Sequence, residues 1–176
     1  MRIVSGKYKG RHINPPKNIT ARPTTDFAKE SLFNLLTNRI DYEQCTVLDL
    51  FSGTGSISFE FVSRGVRDVI AVELAHTQQN FIISTSKALG INNLTVVRAD
   101  VFKYLRSCSI RFDIIFADPP YALENIGQIV DIIFENQLLT EGGMLILEHS
   151  ANNNFQSHPH FAEHRAYGNV NFSFFR

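Results

Sequence analysis

The segment Phe112-Asp113-Ile114-Ile115-Phe116-Ala117 closes on four apolar side chains in succession. A strand with that ending has no face to offer water, so it belongs inside a sheet covered on both sides, the usual setting of parallel strands in α/β folds. Asp118, Pro119, Pro120 and Tyr121 follow directly, at what must be the carboxyl end of that strand. Open α/β sheets hold their ligands at this edge. One short stretch thus constrains both the fold class and the place where chemistry would occur.

Proline fixes φ and has no N–H, so Pro119 and Pro120 hold a stiff bend whose carbonyls can face a cleft unpaired by any ladder. Those carbonyls and the Asp118 carboxylate are hydrogen-bond acceptors. An exocyclic amino group on a nucleobase is a poor nucleophile because its lone pair is delocalised into the ring. Acceptors around its two hydrogens favour a pyramidal nitrogen and stabilise the positive charge that grows there during alkylation. Tyr121 then offers a flat face to an extruded base. Taken alone, the four residues suit a rigid turn followed by a chance aromatic equally well, since short motifs recur without function.

A second motif lies upstream. Thr46-Val47-Leu48-Asp49-Leu50 is a short apolar strand, and Phe51-Ser52-Gly53-Thr54-Gly55 is a turn leading into a helical pattern from Ser56 to Arg64. Glycines in such a turn let the backbone approach a ligand closely. A dinucleotide fingerprint needs a third glycine where Ser58 stands, which disfavours nicotinamide and flavin readings. Glu73 follows the strand Asp68 to Val72 and lies 24 positions beyond Asp49, where an acid can accept hydrogen bonds from ribose hydroxyls. Asp100 follows the strand Leu94 to Arg98 and could meet an adenine edge. Each acid singly fits a solvated loop or a helix N-cap. Their recurrence at successive strand ends points to a ligand.

These residues together resemble the class I S-adenosylmethionine-dependent methyltransferases. The resemblance implies a Rossmann-like α/β fold with a mostly parallel seven-stranded sheet, helices on both faces and a closing antiparallel hairpin. It implies S-adenosylmethionine as cofactor, with Asp49, Ser52, Gly53 and Gly55 beneath its methionine part, Glu73 and Leu74 at the ribose, and Asp100 and Val101 at the adenine. In that family an Asp-Pro-Pro-Tyr element marks members that methylate amino nitrogens, which assigns the catalytic role to Asp118, Pro119, Pro120 and Tyr121. It calls for no metal.

Charge is unevenly placed along a neutral chain. Residues 1–25 contain Arg2, Lys7, Lys9, Arg11, Lys17 and Arg22 with no Asp or Glu, a local charge of +6. A basic arm on an acidic body suggests a polyanionic partner, although an ordinary solvated hairpin could carry the same charges. A small β-hairpin is expected here, Arg2 to Val4 and Tyr8 to Ile13 around a turn at Gly6. The chain then divides into an arm, 1–25, and a catalytic domain, 26–176. Thr24, Thr25 and Asp26 can cap a helix whose apolar face is Phe27, Leu32, Leu35 and Leu36. Near the other end, Ile126 to Phe134 reads as a helix, Gly143 to Glu148 as a strand and Ala151 to His160 as a polar loop. Gly168-Asn169 is a two-residue hairpin turn between Arg165–Tyr167 and Val170–Phe174.

With 176 residues, 44% of them hydrophobic and 19% charged, the chain suits one globular domain. No apolar run reaches membrane-spanning length and residues 1–6 have no signal-peptide core, so a cytoplasmic protein without membrane attachment is expected. Cys45 and Cys108 read as buried reduced thiols. His158, His160 and His164 lack an acidic or Cys partner at ligand spacing, so structural metal is not expected.

Five segments sharpen the resemblance: Gly6-Lys7-Tyr8-Lys9-Gly10-Arg11, Arg22-Pro23-Thr24-Thr25-Asp26, Leu32-Phe33-Asn34, Asp49 to Gly55, and Ser63-Arg64-Gly65. Over its whole length the chain is similar to the RsmD family of 16S ribosomal RNA guanine-N2 methyltransferases. The likeness implies methyl transfer to the exocyclic 2-amino group of a guanine in 16S rRNA, with the small ribosomal subunit as partner and no obligate protein partner. It implies RNA contacts from Lys7, Lys9 and Arg11, and from Arg22 and Thr24 beside the cofactor pocket. The helix Ser56 to Val62 is bulkier than is usual in that family, which reads as repacking. Three other classes stay open: a DNA amino-methyltransferase, a protein glutamine methyltransferase, and a non-catalytic RNA-binding module on the same fold.

Overall fold

In the computed structural model, which describes residues 1–17, 19 and 25–176, the central strand β1 (Thr46–Leu50) is hydrogen-bonded on both edges. It pairs in parallel with β2 (Asp68–Glu73) and with β4 (Phe112–Ala117). Beyond β2 lies β3 (Leu94–Arg98), also parallel, and beyond β4 lies β5 (Leu139–His149). The antiparallel pair β7 (Val170–Phe175) and β6 (Phe161–Tyr167) completes a sheet of order β3-β2-β1-β4-β5-β7-β6. The expected fold class is therefore the observed one. The switch point between β1 and β4 puts a crevice above their carboxyl ends.

Alternation along the strands sends side chains into two cores. Val47, Val69, Ile114, Phe116, Ile146 and Phe172 pack beneath α1 (Asp26–Thr37), α2 (Ser56–Ser63) and α3 (His76–Leu89). Leu48, Leu50, Ile115, Ala117, Leu145 and Leu147 pack beneath α4 (Val101–Ser107) and α5 (Gly127–Glu135). Among the described residues no helix is long and apolar enough to cross a membrane. His158 meets Asp131, and the ring of His160 stacks on Phe134. Cys45 is buried, whereas Cys108 is only half-buried.

The expected apolar face of α1 is displaced. Its buried residues are Ala28, Lys29, Leu32, Phe33 and Leu36. Phe27 lies about 140° around the helix from Leu32 at ~100° per residue, and its ring is exposed. The stripe that enters the core contains a lysine, which hid it from a reading based on hydrophobic residues alone. Strand β5 begins at Leu139, earlier than expected, because Leu139 pairs with Phe112 across an irregularity in the register.

Residues 1–13 form a narrower hairpin than expected. A single antiparallel bridge joins Arg2 and His12, and the Ile3 and Ile13 N–H groups donate to Arg11 O and Met1 O. The intervening chain is turn because it docks on the end of α2: the Lys7 N–H donates to Ser63 O at 2.7 Å and the Tyr8 N–H to Ser63 Oγ at 2.9 Å. Gly6 has φ +83°, and a Cβ on it would lie 1.8 Å from Ser63 O, so only glycine permits the approach. Ile3, Tyr8 and Ile13 are buried in the core that α1 and α2 cover.

Polar contacts complete the attachment. Glu60, fully buried on α2, accepts from the Val4 N–H at 2.8 Å, the Ser5 N–H at 3.1 Å and Arg64 Nε at 2.9 Å. Lys29 Nζ donates to Arg2 O at 2.6 Å and to Ser56 Oγ at 3.1 Å. Its burial lowers the ammonium pKa, against the pull of Glu60 and Asp26. Removing one partner from a buried ionic network typically costs about 3–5 kcal/mol. Glu60→Ala should therefore lower the melting temperature by roughly 6–20 °C, measured by circular dichroism. A fall under about 2 °C would mean that other contacts hold the arm.

Candidate functional site

A cleft of about 1050 Å³ opens above the carboxyl ends of the parallel strands. It is lined by Asp49, Ser52, Gly53, Glu73, Leu74, Asp100, Val101, Asp118, Pro119, Pro120 and Tyr121, residues singled out in the sequence. Gly55 is not at its surface. That glycine caps α2 at φ +78°, and a Cβ there would stand 3.0 Å from Ile82 Cγ1 and from the Phe59 ring, so close packing of the helix start favours glycine here. Arg22 and Thr24 lie outside the described residues. Lys7, Lys9 and Arg11 are exposed on the arm, at the end of α2 away from the cleft.

The turn after β1 is strained where it meets the cleft. Phe51 lines the cavity with φ 58°, a left-handed conformation that costs a bulky residue about 1–3 kcal/mol. The Ser52 hydroxyl donates to Asp49 O at 2.7 Å, and the Gly53 N–H donates to Glu73 Oε2 at 2.8 Å. Glu73 also accepts from the Ala75 N–H at 2.8 Å. Two backbone bonds thus fix its carboxylate at the end of β2, with acceptor positions still available, since a carboxylate has about four. Asp100 caps α4, accepting from the Lys103 N–H at 3.0 Å, and lines the cleft as well. Its N-cap role and a ligand role are compatible.

Asp49, Phe116 and Ile146 share one face of the sheet, in register across β1, β4 and β5. Two residues further along β4 and β5 on that face come Asp118 and Glu148. Three carboxylates therefore converge from adjacent strands on one wall of the cleft. Asp49 is buried and its principal partner is the Ser58 hydroxyl, from the very position where a dinucleotide fold would have glycine. Burial pushes the Asp49 carboxyl up to about 7, against the Ser58 bond and with a contribution from Asp118. Burial also raises Asp118. Glu148 is almost fully buried. Such a wall suits a ligand that brings positive charge.

Pro119 is buried beneath the cleft, and Pro120 O accepts the Leu123 N–H at 2.8 Å, closing a turn. One of the two carbonyls expected to face the cleft is thus engaged by the main chain. Tyr121 is 63% exposed. The sequence reading missed Glu148 and the part of the lining formed by Thr25, Phe27, Tyr167, Gly168 and Asn169. The Gly168-Asn169 turn was legible as a hairpin, but its place beside the cleft follows from β7 running antiparallel to β5.

The family model described as Conserved hypothetical protein 95 matches residues 1–176. The protein named Ribosomal RNA small subunit methyltransferase D from Buchnera aphidicola subsp. Baizongia pistaciae is 32% identical over 149 residues, covering 84% of this chain and 75% of its own. The protein of the same name from Escherichia coli K12 is 28% identical over 159 residues, covering 90% and 79%. Among solved structures, a hypothetical protein of Thermus thermophilus superposes with a TM-score of 0.86 at 25% identity, covering 100% of this chain and 99% of that one.

A carboxyl whose folded pKa is raised contributes stability that is fully present below its unfolded pKa and is lost as pH rises through the folded value. For Asp49 that window runs from 3.8 to about 7, and the loss is of the order of 4 kcal/mol at its upper end. Asp49→Asn removes the titration. Relative to the parent protein, the variant should gain stability as pH rises from about 4 to 7 and then hold a constant difference, measured by denaturant unfolding without ligand. A difference independent of pH would show that Asp49 does not titrate in this window.

Proposed function

Because this chain belongs to the Conserved hypothetical protein 95 family, the RsmD family, we propose that it is an S-adenosylmethionine-dependent ribosomal RNA methyltransferase acting on the 2-amino group of a guanine in 16S rRNA of the small subunit. The observation that carries this reading is the convergence of Asp49, Asp118 and Glu148 on one wall of a cleft that also holds Tyr121.

The residues present fit the methyl donor. Glu73 offers a carboxylate to paired hydroxyls, Leu74 and Val101 offer apolar contact to a flat ring system, Asp100 can meet an amino group, and Asp49 faces the region where positive charge would lie. When bound, S-adenosylmethionine supplies an electrophilic methyl group on a positively charged sulfur.

The chain's own residues prepare the acceptor. Asp118 accepts a hydrogen of the exocyclic amino group, drawing the nitrogen lone pair out of conjugation, and opposes the positive charge that develops as the N–C bond forms. The proton then released from nitrogen can pass to Asp118 or to water. Tyr121 gives the extruded base a stacking face. Asp118 and Glu148 together favour guanine over adenine. Guanine presents two neighbouring donors, N1–H and the 2-amino group, to the pair in its ionised, acceptor-only form, whereas adenine presents a ring acceptor beside its amino group. Positioning and charge provide most of the rate, and no covalent enzyme intermediate is needed. Work on rRNA would take place in the cytoplasm.

The direct test incubates the protein with labelled S-adenosylmethionine and, separately, undermodified small subunits, naked 16S RNA and duplex DNA, followed by nucleoside identification. N2-methylguanosine from subunits or their RNA supports the proposal, whereas label only in DNA or protein would overturn it. Asp118→Ala should lower turnover at least about tenfold while calorimetric donor affinity is nearly unchanged. Equal losses in both would move Asp118 to donor binding. Replacing Lys7, Lys9 and Arg11 with Ala should weaken RNA binding and reduce the slope of log affinity against log salt by about 2. An unchanged slope would remove the arm from the interface.

A further inference from the structure

Among the described residues four large apolar side chains are prominently exposed, and three of them, Phe27, Leu74 and Tyr121, border the same cleft. Leu74 belongs to the donor side and Tyr121 follows the catalytic Asp118. Phe27 has no part in either. It projects from the first turn of α1, where Thr25 caps the helix by accepting the Ala28 N–H at 3.2 Å. The residue is 65% exposed.

The ring is nevertheless held in place. Tyr167 meets it edge-on, with centroids 6.4 Å apart and planes at 83°. Tyr167 contacts Phe172 at 6.1 Å, and Phe172 contacts Phe116 at 6.3 Å. Phe172 and Phe116 are buried, so this aromatic series runs from the core of the sheet, beneath the catalytic acid, to the rim of the cleft. An edge-on contact covers at most one face of one ring. A rigid aromatic face presented to water at the mouth of a site is a stacking platform already organised for a flat partner.

Placement identifies the partner. Phe27 stands over the β6–β7 end of the sheet, while Glu73 and Leu74 follow β2, which is four strand spacings from β7, or roughly 19 Å. The donor's ring system therefore lies elsewhere. Tyr121 follows β4, and β5 and β7 separate β4 from β6, which ends at Tyr167, so the strands that lead to the two rings are three spacings, roughly 14 Å, apart. The two rings are set to serve different bases.

We propose that Phe27, buttressed by Tyr167, forms a second nucleobase site that stacks the base of a nucleotide adjoining the target in an opened, single-stranded stretch of RNA. This rests on the RNA reading of the cleft. Stacking of this kind is tolerant of base identity, so the site holds the strand in position without reading its sequence.

The test uses the full chain and short RNAs carrying the target guanine, with 2-aminopurine placed at the target or at either neighbouring position. Stacking quenches the probe's fluorescence. Parent protein should quench at one neighbouring position. Phe27→Ala and Phe27→Leu should lose that quenching and raise KM for RNA by about fivefold or more, while Phe27→Trp restores both. Calorimetric donor affinity serves as the check on folding, since a misfolded variant would lose it too. A Phe27→Leu variant with KM within about twofold of the parent, or quenching at the target position alone, would overturn the proposal. Failure of the parent protein to methylate any RNA would instead remove the reading on which it rests, and this site with it.

Discussion

Keeping the carboxyl of Asp49 inside the protein is the constraint on which the surrounding structure depends. A buried acid needs a hydrogen-bond partner, and Ser58 supplies one only if α2 starts at Ser56 and lies against that face of the sheet. Gly55 permits the start by taking a left-handed conformation under the Phe59 ring. Once α2 is so placed, Ser56, Glu60 and Ser63 form a polar stripe at helical spacing, facing away from the sheet. Lys29 and the backbone of the arm then satisfy that stripe. One buried acid thus links the floor of the cleft, through a single helix, to the attachment of the basic arm.

Strands β1 and β4 were legible because residues buried on both faces leave continuous apolar runs, and β1, β4 and the half-exposed edge strand β3 have the bounds expected of them. The cleft residues that follow those strands were legible for a related reason, since their spacing is tied to strand length. Phe27 and Glu148 were not. Phe27 looks like core until the buried stripe is seen to include Lys29, whose charge is satisfied by Arg2 O and Ser56. Glu148 looks like the polar end of a strand until β5 is known to lie beside β4. The helix α2 was read only as unusually bulky, because the arm residues that partner Glu60 and Ser63 lie more than fifty positions away. Local patterns report which residues are buried. They do not report which distant groups satisfy them.

The cleft divides into two halves of different chemistry because β7 reverses direction beside β5. On the β1–β2–β3 side every strand ends at the cleft, so each contributes an acid and a following helix start, an arrangement suited to hydroxyls, amino groups and positive charge. On the β7–β6 side the hairpin turn itself reaches the cleft, bringing Tyr167, Gly168 and Asn169 instead. Parallel strands thus make the half suited to a small charged molecule, and the antiparallel pair makes an aromatic rim suited to flat bases.

This division bears on how RNA would approach. The arm docks at Ser63, whereas Ser56, at the other end of α2, lines the cleft, and seven residues of helix span about 10 Å. On the proposed reading, an RNA engaging both the cleft and Lys7, Lys9 and Arg11 must extend across the face formed by α1 and α2. The acidic wall of the cleft would repel a phosphate backbone, while the arm would attract it. The charge separation already visible in the sequence therefore acquires a spatial meaning: the backbone is held outside, along the arm, and only neutral bases enter the cleft. That arrangement favours a target that can leave its stack, because a base confined in a duplex would bring its phosphates toward Asp49, Asp118 and Glu148.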